Sequence, residues 1–251
     1  MFERAAVVEL EQLAAVLEPP CQLGPYRLTA RLARSQTALV FTASGGPFDA
    51  DEGVLKVATS HYASRQRAEL QRLVQCSDAG VRGVVWPVLR DQEWLAVPGM
   101  LDAHIAAIAL PFLTGGDLYA IKRARRPGLT NEALRVIANT LRHLLELPTP
   151  MTHGGVSMRN ALLPRPGAEL SELTLIDLGS AVELSSCTRR EAEVACKADV
   201  IAFGAAISEL GTEMDGLARA CREGRYASMA DSGLWRALAQ PKRKWFSLWR
   251  R

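Results

Sequence analysis

A lysine set in the middle of an apolar run, Leu55-Lys56-Val57, is the first feature of this sequence with chemical consequences. An ammonium taken out of water is costly unless it meets an opposite charge, so the chain must supply a partner. Glu69, in the helical-looking stretch Arg67-Ala68-Glu69-Leu70, is the natural one. Three further segments follow in order. Leu110-Pro111-Phe112-Leu113-Thr114-Gly115-Gly116-Asp117 joins a strand-rich half to a helical half. His153-Gly154-Gly155-Val156-Ser157-Met158-Arg159-Asn160 falls in a turn after a long helix. Leu175-Ile176-Asp177-Leu178-Gly179 ends a short apolar strand on an acid followed by glycine. A lysine and acids of this kind suit phosphate chemistry, which depends mainly on positioning and charge neutralisation. Taken singly, each has a plainer reading: Asp177 as a turn-capping acid, Asn160 as a loop residue that bonds backbone.

These residues need elements to position them. Residues 2–18 space their apolar side chains for a helix face and stop at Pro19-Pro20. Alternation from Tyr26 to Ala43 predicts two strands around a polar turn, and residues 53–58 a third, beyond the breaker Gly45-Gly46-Pro47. His61 to Val74 reads as a helix, with more strands expected at 83–89, 94–98 and 105–112. After Gly115-Gly116 helices dominate, at 117–123, 131–147, 198–210, 214–222 and 232–239, with short apolar runs at 161–163 and 173–176. Strands early and helices late predict an α+β chain of two lobes of different class. The expected divisions are 1–25 as an N-terminal helix and lead-in, 26–113 as a lobe with a five-stranded sheet and one helix, 114–240 as a helical lobe, and 241–251 as a tail.

The 251 residues suffice for one two-lobed domain, and 48% hydrophobic with 23% charged residues is an ordinary globular balance. No apolar run has the length of a membrane span, and the first residues do not read as a secretory signal. Five cysteines without a CxxC pair or a histidine at metal spacing fit free thiols in a reducing cytoplasm. The net charge of +3 is unevenly spread: residues after Asp231 hold six bases and no acid, so the rest carries −3. That mildly acidic body gives no reason to expect DNA there. The tail, from Lys242 to Arg251, interleaves bases with Trp245, Phe246, Leu248 and Trp249. Such a segment suits an anionic membrane surface or an acidic partner groove; its plainer reading is aromatics packed back on the domain with the bases solvated.

In their order, these segments resemble the protein-kinase superfamily over roughly residues 26–240. Lys56 matches the ATP-orienting lysine and Glu69 its helix partner. Leu110 falls at the gatekeeper position, followed by a hinge through Leu113. Residues 153–160 match the catalytic loop, with His153 and Asn160 in place, and Asp177-Leu178-Gly179 matches Asp-Phe-Gly. Asp199-Val200-Ile201-Ala202-Phe203-Gly204 looks like the start of the central helix of the second lobe. The resemblance implies a bilobal kinase-like fold, ATP as ligand with Lys56 on its phosphates, and Mg²⁺ held by Asn160 and Asp177.

The departures imply as much. Gly155 stands where the family has the aspartate that accepts the substrate proton, and glycine cannot serve as a base. Ala33, Ser35 and Ala38 stand where the glycine-rich loop has glycines, so that loop covers a nucleotide less well. Only 22 positions separate Asp177 from Asp199, with no Ala-Pro-Glu between them, which leaves little platform for a peptide substrate. The reading is therefore a pseudokinase: a regulatory or scaffold protein working through a protein partner, cytoplasmic or peripheral at a membrane, with ATP–Mg binding weak or absent. Two alternatives stay open. One is an active atypical phosphotransferase using Lys56, Asn160 and Asp177; the other is an adaptor that binds no nucleotide and is recruited through its tail.

Overall fold

A computed structural model describes residues 9–49, 51–101, 103–123, 129–211 and 214–239. The tail 241–251 lies outside the described residues. The chain forms two units, one from residues up to Ser77 together with Val85–Phe112, the other from Asp78–Val84 together with residues from Leu113 on.

Alternating apolar residues, such as Tyr26 and Leu28 or Leu55 and Val57, build the sheet of the first unit. Its strands are β1 (Cys21–Leu23), β2 (Tyr26–Arg34), β3 (Leu39–Gly45), β4 (Gly53–Thr59), β5 (Glu93–Ala96) and β6 (His104–Pro111). Their order is β1-β2-β3-β4-β6-β5, with every neighbouring pair antiparallel. The sheet expected to have five strands has six: β1 joins the edge, and the stretch 83–89 contributes none. Three residues after a proline pair show too little alternation to be read as a strand. One face of the sheet, with Phe41, Leu55, Val57, Ile105 and Ala107, forms a single apolar core with Leu10 and Leu13 of the helical segment α1 (Leu10–Val16) and with Leu17 just after it. Of the stretch up to residue 25, the described part supplies α1 and β1 to this unit. The helix expected from residue 2 begins, among the described residues, at Leu10. Glu9 is extended (φ −74°, ψ 148°) and forms a reciprocal capping box with Gln12.

Between Leu28 and Ala33 the β2–β3 register slips twice, and from Thr29 to Gln36 every residue is exposed. These two bulges bend the hairpin away from the regular pleat.

The strand expected at 83–89 does not form. Only Val84 makes an isolated bridge, to Leu175 in the second unit, while Val88 donates its N–H to Ala109 in the first. Gly83 has φ +84° and Pro87 lacks an N–H, so no continuous ladder can run through the segment.

The second unit is mainly helical: α3 (Leu118–Arg123), α4 (Leu129–Leu145), α5 (Arg189–Leu210), α6 (Asp215–Arg222) and α7 (Ser232–Ala239), with a two-stranded ladder β7 (Ala161–Leu162) and β8 (Thr174–Leu175). On α4 the buried stripe is Leu134, Ile137, Leu141 and Leu144, the spacing of one helix face. Gly204 lets α5 and α6 approach closely, since a Cβ there would lie 2.6 Å from that of Cys221. On α7, Trp235 donates to the Met229 carbonyl at 2.8 Å and carries the Arg142 guanidinium over its ring.

Helix α5 starts nine residues before the expected Ala198. Thr188 and Glu191 form a capping box there, and the charged turns that follow hide the helix from an apolar-periodicity reading. None of residues 189–198 is buried. Every cysteine is free, with Cys76 and Cys221 buried. Among the described residues no helix is long and apolar enough to cross a membrane.

Candidate functional site

In the first unit the register explains Lys56. It lies opposite Val40 and Ile108, and the strand alternation puts it on the face away from Leu55 and Val57. Helix α2 (Ala63–Asp78) supplies the partner: Lys56 Nζ donates to both oxygens of Glu69, at 2.8 and 2.7 Å. Glu69 is only 3% exposed. Gln66, one turn earlier on α2, donates to the Lys56 carbonyl at 2.7 Å and accepts from Gln92 at 3.0 Å, which ties the helix to the strand. The expected pair is formed and braced.

The hairpin tip departs from a phosphate cradle. Ser35 Oγ accepts from the N–H groups of Thr37 and Ala38, at 3.2 and 3.0 Å, and Ser35 N–H donates to the Ala38 carbonyl. No residue from 33 to 38 has positive φ. Ala33 and Ser35 are exposed and Ala38 is buried. Backbone donors that a glycine loop would leave for an anion are thus partly used by the serine. Leu110 is half-buried opposite Val54 on β4.

In the second unit, Leu113 is half-buried and precedes a paired stretch. Thr114 and Gly115 donate to the carbonyls of Pro164 and Leu163, and a Cβ on Gly115 would strike the Arg165 carbonyl oxygen at 2.5 Å.

The loop 153–160 is held from below by one carboxylate. Asp199, on the buried face of α5, accepts from the N–H of His153 at 2.7 Å and from that of Gly154 at 2.8 Å. Burial pushes the Asp199 carboxyl up to about 6, while the two N–H donors pull it down. His153 is fully buried; its Nδ1 accepts from the Gly155 N–H, so the proton sits on Nε2. Nε2 has no hydrogen-bond partner; the Ile176 carbonyl acts on the ring, but not at hydrogen-bonding geometry. Burial drops this imidazole to about 4, against a smaller upward pull from Asp177, so it is neutral at pH 7.

The two glycines of the loop differ. Gly154 has φ +72°, and a Cβ there would lie 2.0 Å from the Ser180 carbonyl oxygen, so backbone geometry demands glycine. Gly155 has no such constraint. Its φ is not positive, and a Cβ would meet Asn160 Nδ2 at 3.6 Å, His153 Nδ1 at 3.7 Å and the Asp177 carbonyl oxygen at 3.9 Å, all ordinary contacts. Asn160 donates from Nδ2 to the Gly155 carbonyl at 2.8 Å, and Ser157 Oγ accepts from the Asn160 N–H. Asp177 is exposed and left-handed (φ +68°, ψ +72°), leading into a short 3₁₀ turn. The fold therefore gathers His153, Gly155, Asn160 and Asp177 around one point.

No family model and no curated protein matches this chain. What the site can do rests on its geometry. Among the described residues no group of three or more His, Cys, Asp or Glu side chains is placed to hold a metal. Residues 178–188 are short and tied down: Thr152 donates to the Val182 carbonyl and Leu184 to that of Pro150. Arg225 pairs with Glu223 at 2.7 Å.

The sequence reading passed over two residues that organise the site. Asp199 was read as one letter of a helix motif, yet it is the anchor of the loop. The available signal was an acid four residues before Phe203, on the apolar face of α5. Gln66, which bonds the Lys56 carbonyl, left no signal beyond its place one turn before Glu69.

Proposed function

We propose that this chain is a pseudokinase: a kinase-like protein with regulatory or scaffold work, in which ATP–Mg binding is weak or absent and action passes through a protein partner in a cytoplasmic setting. The observation that carries this reading is Gly155. The backbone does not require glycine there, and a side chain has room, yet the one position at which a proton-accepting aspartate would stand is bare while its surroundings are braced. Lys56 is the residue that would meet phosphate, and Asn160 and Asp177 those that would meet magnesium. The self-satisfied hairpin tip and the short segment 178–188 favour weak nucleotide binding and no peptide platform.

The intact Lys56–Glu69 pair favours a second reading, an active atypical phosphotransferase acting on a small acceptor. A thermal-shift titration with ATP and Mg²⁺ separates the readings, comparing the native chain with Lys56→Ala and Asp177→Ala. A small magnesium-dependent rise lost in both variants, without phosphate transfer, supports a nucleotide-binding pseudokinase. No rise at millimolar nucleotide supports an adaptor. Turnover that vanishes in Asp177→Ala overturns the proposal in favour of the enzyme.

A further inference from the structure

An exposed guanidinium stands next to Asn160. Arg159 is the middle residue of a 3₁₀ turn (Met158–Asn160) whose neighbours fix its direction: Met158 is fully buried, and the Asn160 N–H donates to Ser157 Oγ. The turn sends Arg159 outward, where its guanidinium lies over the ring of Tyr119 on α3, 5.9 Å from the centroid. Stacking on a ring steadies a guanidinium without using its donors. Among the described residues no hydrogen bond or ion pair takes up the N–H groups of this side chain.

The acids beside it are engaged elsewhere. Glu209 of α5 accepts from the Tyr119 hydroxyl, and Asp117 accepts from the Ala120 N–H at 2.7 Å. Lys122, one turn along α3 from Tyr119, donates to the Glu209 carbonyl. Arg123 is exposed and has no partner among the described residues. Contacts thus run from Arg159 through Tyr119 and Glu209 to Lys122, and they hold two cations at one surface of the second unit, with Arg123 beside them.

A planar fork with unspent donors fits a carboxylate through two parallel bonds. The chain up to Asp231 carries −3 as a whole, so a long polyanion such as nucleic acid meets repulsion from most of the body. A short acidic stretch needs only the local patch, because charges farther off are screened.

We propose that Arg159, with Lys122 and Arg123, is a docking site for a short acidic segment of the protein partner. The inference rests on the reading that the chain acts through such a partner, and it names the chemistry of the segment that is gripped.

Fluorescence anisotropy on the full chain, without nucleotide, tests this with a labelled all-acidic hexapeptide and a matched all-lysine hexapeptide. The acidic peptide should bind, more weakly as salt rises, and the lysine peptide should not. Arg159→Ser should weaken binding about tenfold, and Arg159→Lys by less, since an ammonium keeps the charge and loses the fork. Arg159→Glu should turn the preference toward the lysine peptide, which a merely structural role for Arg159 would not produce. Arg123→Glu, an exposed position without a partner, should weaken the acidic peptide too and keeps the test valid if the loop variants do not fold. Unchanged affinity in Arg159→Ser, or in Arg123→Glu where the loop variants do not fold, overturns the site, as does equal binding of both peptides. Tighter, Arg159-dependent binding of an oligouridine of the same length assigns the patch to RNA and overturns the peptide. Because nucleotide is absent, a failed peptide titration leaves the pseudokinase reading standing, and turnover that vanishes in Asp177→Ala leaves the docking site standing.

Discussion

Two buried groups on either side of one backbone segment should make the acid stability of this protein nearly flat, and each should be exposed by removing the other. His153 titrates near 6.5 when unfolded and near 4 in the folded chain, so the unfolded state binds the extra proton. Stability from this group is full above pH 6.5 and is lost as pH falls toward 4. At 1.36 kcal/mol per pH unit the loss is about 3 kcal/mol. Asp199 works with the opposite sign. Its folded value of about 6 lies above the usual 3.8, so its contribution is full below 3.8 and is lost as pH rises through 6, again about 3 kcal/mol. In the native chain the two slopes oppose each other between pH 4 and 6. Urea unfolding followed by circular dichroism from pH 4 to 7.5 reads the balance. Asp199→Asn should fall in stability by about 3 kcal/mol from pH 7 to 4 relative to the native profile, and His153→Phe should rise by a similar amount. Both variants carry pH-independent losses as well, because each removes a hydrogen bond, so the slopes are compared and not the absolute values. Parallel profiles for all three proteins would refute the reasoning, since they would mean that neither group changes its proton affinity on folding.

Glu69→Ala removes the carboxylate to which Lys56 Nζ donates twice and should cost the first unit about 1.5–3 kcal/mol, read by the urea midpoint. Gly155→Ala should be neutral or stabilise by about 0.4–1 kcal/mol, because the backbone there suits any residue. Gly154→Ala should cost more than about 2 kcal/mol and lower the melting temperature clearly, through its left-handed φ and the overlap with Ser180. Thr188→Ala should cost about 1 kcal/mol and fray the first turn of α5, visible as faster amide exchange at 190–192.

What the sequence disclosed followed how local the cause was. The alternation in 26–43 and 53–58 was legible because each strand has one face in a core and one outside it, and the Lys56–Glu69 pair because a charge in a strand demands an answer. The loop glycines could not be told apart by letter. Gly154 is fixed by a carbonyl 26 residues later and Gly155 by nothing, a difference that exists only once Ser180 is in place. The false strand at 83–89 is apolar enough to look like one. Its Gly83 packs instead against Thr140, with a Cβ position only 2.2 Å from that hydroxyl, a contact that no reading of neighbours anticipates. The early start of α5 was hidden for a different reason: three polar turns with no buried residue carry no periodic signal at all.

Those three turns have a mechanical meaning. Asp199 is the first buried residue of α5 and the clamp on His153 and Gly154, so the ten residues before it extend about 15 Å as an arm ending at the clamp. A helix transmits torque along its axis with little give. The stiff arm and the loop thus share a single joint, the Asp199 carboxylate, and no reacting group takes part in it.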